Sequence, residues 1–156
     1  ENALARVKAD IDLVAIHDAA RPCLVDKWID EVFAAAERDG AAILAVPEPA
    51  TLKKVAQGKI VETVSREAVW QAQTPQVFRR DLLLKAYASR GGKNATDDAA
   101  LVEQLGHPVT IVEGSPLNLK ITTRDDLKLA EQVLKVLPKP KLDGFTNPFA
   151  GDDMWR

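Results

Sequence analysis

The chain has 156 residues, 46% hydrophobic and 28% charged, the make-up of one soluble globular domain. Its 21 basic and 23 acidic residues leave a formal charge of −2, which excludes a global basic field for gathering nucleic acid or an anionic membrane, so any anion must be held locally. No apolar run approaches the roughly 20 residues that cross a bilayer, and no basic-then-apolar secretory pattern opens the chain, so a cytoplasmic location is expected.

Residues 1–7 read as the end of a helix. Residues 11–16, Ile-Asp-Leu-Val-Ala-Ile, form a short branched apolar run that stops at His17-Asp18, as a buried strand would. Cys23, the single cysteine, excludes an internal disulfide or a thiolate metal cage within the chain and reads as packing beside Pro22. Between residues 25 and 38, Trp28, Ile29, Val32, Phe33, Ala35 and Ala36 recur at three-to-four spacing among charged residues, which predicts an amphipathic helix covering a sheet. Gly40 ends it, and residues 41–46 form a second strand before Pro47 and Pro49. Strand, helix, strand predicts an α/β fold with a parallel crossover.

Residues 52–55 and 60–64 flank the polar, glycine-containing link Ala56-Gln57-Gly58-Lys59, the pattern of a β-hairpin. It is too polar for a core element, so an arm over about residues 48–67 is expected to project and to rest on another subunit. Residues 70–78 read as extended. Residues 80–89 put Leu82, Leu83, Ala86 and Tyr87 on one helical face, and Thr96 or Asp97 caps a helix running to about residue 105. Residues 109–112 and 117–121 read as strands, and Thr123 starts a last helix with Leu127, Ala130, Val133, Leu134 and Leu137 on its buried face. One unit over residues 1–137 is therefore expected, followed by an extended tail over 138–156 in which Phe145, Phe149, Met154 and Trp155 could dock.

Asp18 and Arg21 lie just past a strand's C-terminal end, where open α/β sheets place their ligands. A carboxylate there can bind magnesium or orient a hydroxyl, and a guanidinium can grip a phosphate through two parallel hydrogen bonds; the alternative is an ion pair closing a turn. His17 reads either as a satisfied strand-end histidine or as a base. Thr51, Arg66, Thr74 and Thr96 each sit at an element boundary, where sites are built, although each also suits a strand start, an arm tip, a Thr-Pro turn or a helix cap. Lys120, between Leu119 and Ile121, would point away from both in a strand, which suggests a cleft facing an anion.

The ordered strings HDAARPCL from His17, TVSREAVWQAQTPQVF from Thr63, ATDDAALVE from Ala95 and GSPLNLKITTRDDL from Gly114 resemble the 2-C-methyl-D-erythritol 4-phosphate cytidylyltransferases over about residues 1–136. The resemblance implies a Rossmann-like nucleotidyltransferase sheet and cytidylyl transfer from CTP to a polyol phosphate, in isoprenoid synthesis outside the mevalonate route. It implies Asp18 near the reacting phosphates and magnesium, with Ala19 beside the nucleotide. Arg21 and Thr74 would contact the acceptor, with Thr96 nearby, and Lys120 would face the α-phosphate of CTP. It further implies a homodimer in which the arm carries Thr51 and Arg66 into the partner's site. The family opens with a glycine-rich triphosphate loop that matches nothing in this chain, so about the first third of a typical member is expected to be absent, leaving this chain alone inactive and a weak binder of CTP. D-ribitol 5-phosphate cytidylyltransferases share most of these strings, with the double alanine of HDAARP leaning towards methylerythritol. A non-catalytic dimerisation or phosphate-binding fragment is the alternative from another class.

Overall fold

The computed structural model describes residues 3–91 and 95–138. After a single 3-10 turn at Leu4–Arg6, the elements are β1 (Leu13–Ile16), α1 (Asp26–Asp39), β2 (Ala41–Pro47), β3 (Leu52–Ala56), β4 (Lys59–Val64), β5 (Trp70–Arg79), α2 (Arg80–Ala88), α3 (Asp98–Glu103), β6 (Thr110–Glu113) and α4 (Arg124–Val136). A main sheet in the order β1-β5-β2-β6 stands apart from the two-stranded sheet of β3 and β4.

Neither face of β2 can be polar, because both are covered. Ala41 and Ile43 join Phe78, Leu83 and Val102 on one side of the sheet, under α2 and α3. Ala42 and Leu44 join Val77, Val32 and Ala36 on the other, under α1. A strand covered on both faces reads as a continuous apolar run, as residues 41–46 do. Fully buried Leu44, Val77 and Phe78 each contribute about 1.5–3 kcal/mol of hydrophobic stabilisation. Gly40 ends α1 at φ 88°, donating its N–H to the Ala36 carbonyl at 2.8 Å; a Cβ there would also press to 3.2 Å from the His107 ring.

The predicted crossover is present in direction but not in adjacency. β1 and β2 both pair antiparallel with β5, which lies between them, while β2 pairs parallel with β6. The sheet is therefore mixed, with β1, β2 and β6 running one way and β5 the other. Ile43 pairs with Gln76 and Ala45 with Ala72, so Gln73, Thr74 and Pro75 bulge opposite Leu44 alone; the Thr74–Pro75 peptide is cis.

Three further expectations change. Residues 1–7 supply only the short 3-10 turn among those described, not a helix end. Residues 117–121 form no strand: main-chain bonds from Asn118 N–H to the Ser115 carbonyl and from Ile121 N–H to the Ala20 carbonyl fold them into a loop against the 18–21 turn. On α4, Ala130, Val133 and Leu137 are buried with Cys23, whereas Leu127 and Leu134 remain 50% and 40% exposed, because the surface that α4 covers is narrower than its apolar stripe. Cys23 is packing, as expected. The predicted tail lies outside the described residues from 139 on, and with it Phe145, Phe149, Met154 and Trp155.

Candidate active site

The parallel strands β1, β2 and β6 end at one edge of the sheet, and the chain uses that edge three times. β1 runs into the His17–Arg21 turn, β2 and β5 are the roots of the β3–β4 arm, and β6 runs into the 114–122 loop. Side chains distant in sequence therefore converge there, as at the carboxyl ends of other open sheets.

Asp18 is the centre. Its Oδ2 lies 3.1 Å from Lys120 Nζ and 3.3 Å from Arg21 Nε. Arg21 also donates from Nη1 to the Asn118 carbonyl at 2.7 Å, and its side chain is only 12% exposed. Burial pushes the Asp18 carboxyl up, but hydrogen bonds and charge from Lys120 and then Arg21 outweigh it and hold the group below the usual carboxylate range. Asp18 is thus ionised at neutral pH beside two cations, an arrangement with one positive charge in excess.

Thr74 is tied to the same turn. The Asp18 N–H donates to Thr74 Oγ1 at 3.0 Å, and Thr74 Oγ1 lies 2.9 Å from His17 Nδ1. His17 Nε2 lies 3.1 Å from the Arg21 carbonyl. A carbonyl can only accept, so Nε2 carries the proton, and in the neutral ring Nδ1 accepts from the Thr74 hydroxyl. Both ring nitrogens are occupied in holding the turn to β5.

Asp18, Arg21, Thr74, Thr96 and Lys120 line one cleft of about 370 Å³, together with Asp97 and Asp98. Ala19 is exposed in the turn beside it. Asp97 caps α3 by accepting from the Ala100 N–H at 2.9 Å and also accepts from Gln76 Nε2, while Asp98 accepts from the Tyr87 hydroxyl. Those two carboxylates are committed to structure, and Asp18 faces the cations. Thr51 and Arg66 are not brought to this cleft within the chain: both are exposed at the arm's base, where Arg66 donates to the Pro49 carbonyl. A larger depression of about 770 Å³ lies at the opposite edge, among Asp10, Asp12, Glu37, Arg79 and Asp81, away from the ends of the parallel strands.

Lys120 reaches Asp18 without the strand that alternation assumed. Leu119 and Ile121 pack towards Cys23 and α4, so the loop still turns Lys120 away from its neighbours. Sequence reasoning did not single out Gln73 and Gln76, buried in the wall of the cleft, or Asn118, buried beside it. Asn118 Nδ2 donates to the Thr74 carbonyl at 2.9 Å and to Gln73 Oε1 at 3.3 Å, while its Oδ1 is buried with no partner among the described residues. Keeping such an oxygen costs about 1–3 kcal/mol. The signal was present: glutamines at 73 and 76 interrupt a strand otherwise apolar from residue 72 to 78 apart from Thr74.

No group of three or more histidine, cysteine or acidic side chains among the described residues could hold a metal ion. Magnesium binds through one or two carboxylates and takes its other ligands from water and substrate phosphates, so it would need no such group, and Oδ1 is the oxygen of Asp18 not already placed between Lys120 and Arg21. No helix among the described residues is long and apolar enough to cross a membrane.

A family model for 2-C-methyl-D-erythritol 4-phosphate cytidylyltransferase (IspD) matches residues 1–136. The enzyme of that name from Bacillus cereus is 48% identical over 135 residues, covering 84% of this chain and 59% of that protein. The bifunctional enzyme IspD/IspF of Desulfotalea psychrophila is 45% identical over 137 residues, covering 88% of this chain and 36% of that protein, so the chain spans less than two thirds of each of these relatives. The crystal structure of the Thermus thermophilus 2-C-methyl-D-erythritol 4-phosphate cytidylyltransferase superposes with a TM-score of 0.80 at 42% identity, covering 86% of this chain and 67% of that one.

Proposed function

The chain belongs to the 2-C-methyl-D-erythritol 4-phosphate cytidylyltransferase family, and from that premise we propose that it takes part in cytidylyl transfer from CTP to 2-C-methyl-D-erythritol 4-phosphate. The observation that carries this reading is the convergence of Lys120 and Arg21 on one oxygen of Asp18, at the sheet edge where ligands bind.

In this reaction a phosphate oxygen of the acceptor attacks the α-phosphorus of CTP, a new P–O bond forms, and the bond to the departing pyrophosphate breaks. The attacking oxygen is already ionised near neutral pH, so no base is needed, and positioning with charge stabilisation carries the chemistry. Lys120 would face the α-phosphate and Arg21 the acceptor's phosphate, with Thr74 on acceptor hydroxyls and Thr96 at the cleft's rim. Ala19 would lie beside the nucleotide. Asp18 would hold magnesium, which would neutralise phosphate charge. Support comes from the local excess of positive charge where Lys120 and Arg21 flank Asp18, in a cleft of about 370 Å³ whose other two carboxylates, Asp97 and Asp98, are hydrogen-bonded to the α3 cap, Gln76 and Tyr87.

The arm supports a homodimer. Val55, Ile60 and Val61 on β3 and β4 are 57%, 64% and 58% exposed, and an isolated two-stranded hairpin is marginal in water, so a partner subunit covering these side chains would stabilise it. Thr51 and Arg66 would meet substrate in the partner's cleft. Both substrates are small phosphorylated metabolites, consistent with a cytoplasmic enzyme. The test is turnover by the protein at the length its gene encodes, with CTP and each of two acceptors, methylerythritol phosphate and ribitol 5-phosphate, following pyrophosphate release; a preference for the second acceptor, or no turnover with either, would overturn the assignment.

A further inference from the structure

Fully buried Asn118 touches three parts of the site. Its main-chain carbonyl accepts from Arg21 Nη1 at 2.7 Å, and its side-chain Nδ2 donates to the Thr74 carbonyl at 2.9 Å and to Gln73 Oε1 at 3.3 Å. The Thr74 carbonyl can only accept, which fixes the orientation of the Asn118 amide. The Gln73 amide is fixed in the same way, since its Nε2 donates to the Ser115 carbonyl at 2.9 Å. Gly114 closes the line: a Cβ there would fall 2.4 Å from Gln73 Oε1 and 3.5 Å from Gln73 Cδ. Room at Gly114 thus sets where Gln73 sits, Gln73 helps hold the Asn118 side chain, and the Asn118 carbonyl holds Arg21. A purely space-filling residue would not leave a buried oxygen unpaired at this point.

We propose that Asn118 is the positioning residue of this site, a buried amide that fixes the Arg21 guanidinium relative to Thr74, with Gly114 leaving the space that Gln73 needs to hold it. What Arg21 then grips rests on the cytidylyl-transfer reading; the positioning itself does not.

Two variants perturb this line differently. Asn118→Asp keeps the side chain's shape but faces the Thr74 carbonyl and Gln73 Oε1 with an acceptor. Gly114→Ala removes no polar group and acts only by displacing Gln73. The protein is used at the length its gene encodes. Nitrogen NMR of the arginine side chains, with the Arg21 signals assigned through Arg21→Lys, reads guanidinium rotation without any substrate. Separate, slowly exchanging Nη signals are expected for the native protein, averaged to one signal in both variants. In steady-state kinetics the KM for the acceptor phosphate rises about tenfold in both, with the KM for CTP little changed. If Asn118→Asp does not fold, Gly114→Ala carries both readouts. Native-like Arg21 signals in a folded variant overturn the proposal; averaged signals with an unchanged acceptor KM in an active variant support the positioning and overturn only the acceptor contact assigned to Arg21. Averaged Arg21 signals in the variants of a protein that shows no cytidylyl transfer support the positioning and overturn only the functional reading.

Discussion

Lys120 Nζ stands 3.1 Å from Asp18 Oδ2, the same oxygen that Arg21 Nε approaches to 3.3 Å. One carboxylate oxygen therefore holds together two cations that would otherwise repel each other. Because the Asp18 and Lys120 side chains are 33% and 47% exposed, water screens the pair and its worth to folding is about 0–1 kcal/mol. Under the proposed reaction its value would lie in placing two positive groups where phosphate charge develops. Lys120→Ala is expected to lower kcat by about 10²–10³-fold, the loss typical of one charge-stabilising donor, while the denaturation midpoint barely moves. Steady-state kinetics beside a urea titration separates the two effects, and a large stability loss with little kinetic change would make Lys120 structural.

The loop that carries Lys120 is anchored at its far end by Asp126, whose carboxylate accepts from the Thr122 hydroxyl and from the Thr122 and Thr123 N–H groups at 2.7–2.9 Å. Thr123 Oγ1 accepts from the Asp126 N–H in return, completing a capping box at the start of α4. The Thr122 hydroxyl first, then these backbone donors, hold the Asp126 carboxyl at about 2. A folded value below the unfolded one gives stability that is present above about pH 3.9 and lost as pH falls towards the folded value. Asp18, also held low, adds in the same direction. Asp126→Ala should lower the thermal midpoint at neutral pH and flatten its decline under acid, measured by circular dichroism at a series of pH values. An undiminished acid slope would remove Asp126 as its source.

If the arm serves the partner's cleft, defects in Arg66 and Lys120 lie in different halves of one site. An equal mixture of Arg66→Ala and Lys120→Ala chains, unfolded and refolded together, would then contain mixed dimers with one intact site each, restoring about a quarter of native activity from two nearly inactive parents. Recovery no greater than the sum of the parents would place Arg66 and Lys120 in the same subunit's site. The contact that Arg66 makes within its own chain, to the Pro49 carbonyl, leaves the remaining guanidinium donors for a phosphate.

Residues whose role is set by neighbours in the chain were legible in the sequence. The covering helix that became α1, the doubly buried strand that became β2 and the Thr123 cap of α4 all follow from local spacing and chemistry. The site was half legible: Asp18, Arg21, Thr74, Thr96 and Lys120 were singled out, but their union in one cleft depends on β5 inserting antiparallel between β1 and β2. β5 pairs with β1 across 60 to 66 residues and with β2 across 23 to 37, and such distant pairings leave no local periodicity to read. The same limit hid Asn118, whose partners at Arg21, Gln73 and Thr74 lie 44 to 97 residues away.

His17 is the histidine next to the proposed reacting groups, and its hydrogen bonds decide between holding and proton transfer. Nε2 donates to the Arg21 carbonyl and Nδ1 accepts from the Thr74 hydroxyl, which in turn accepts from the Asp18 N–H. With both nitrogens engaged, the ring acts as a strut between the 17–21 turn and β5. The amides of asparagine and glutamine overlay Nδ1 and Nε2 respectively, so His17→Asn retains an acceptor for Thr74 and loses the link to Arg21, whereas His17→Gln does the reverse. Each keeps half of the strut, and each is expected to reduce kcat/KM by no more than about tenfold, far less than the 10²–10⁴-fold that a lost general acid or base costs. A loss of about a thousandfold in both variants, with folded protein and native CTP binding, would instead make His17 a proton carrier and require a base that the ionised acceptor phosphate otherwise makes unnecessary.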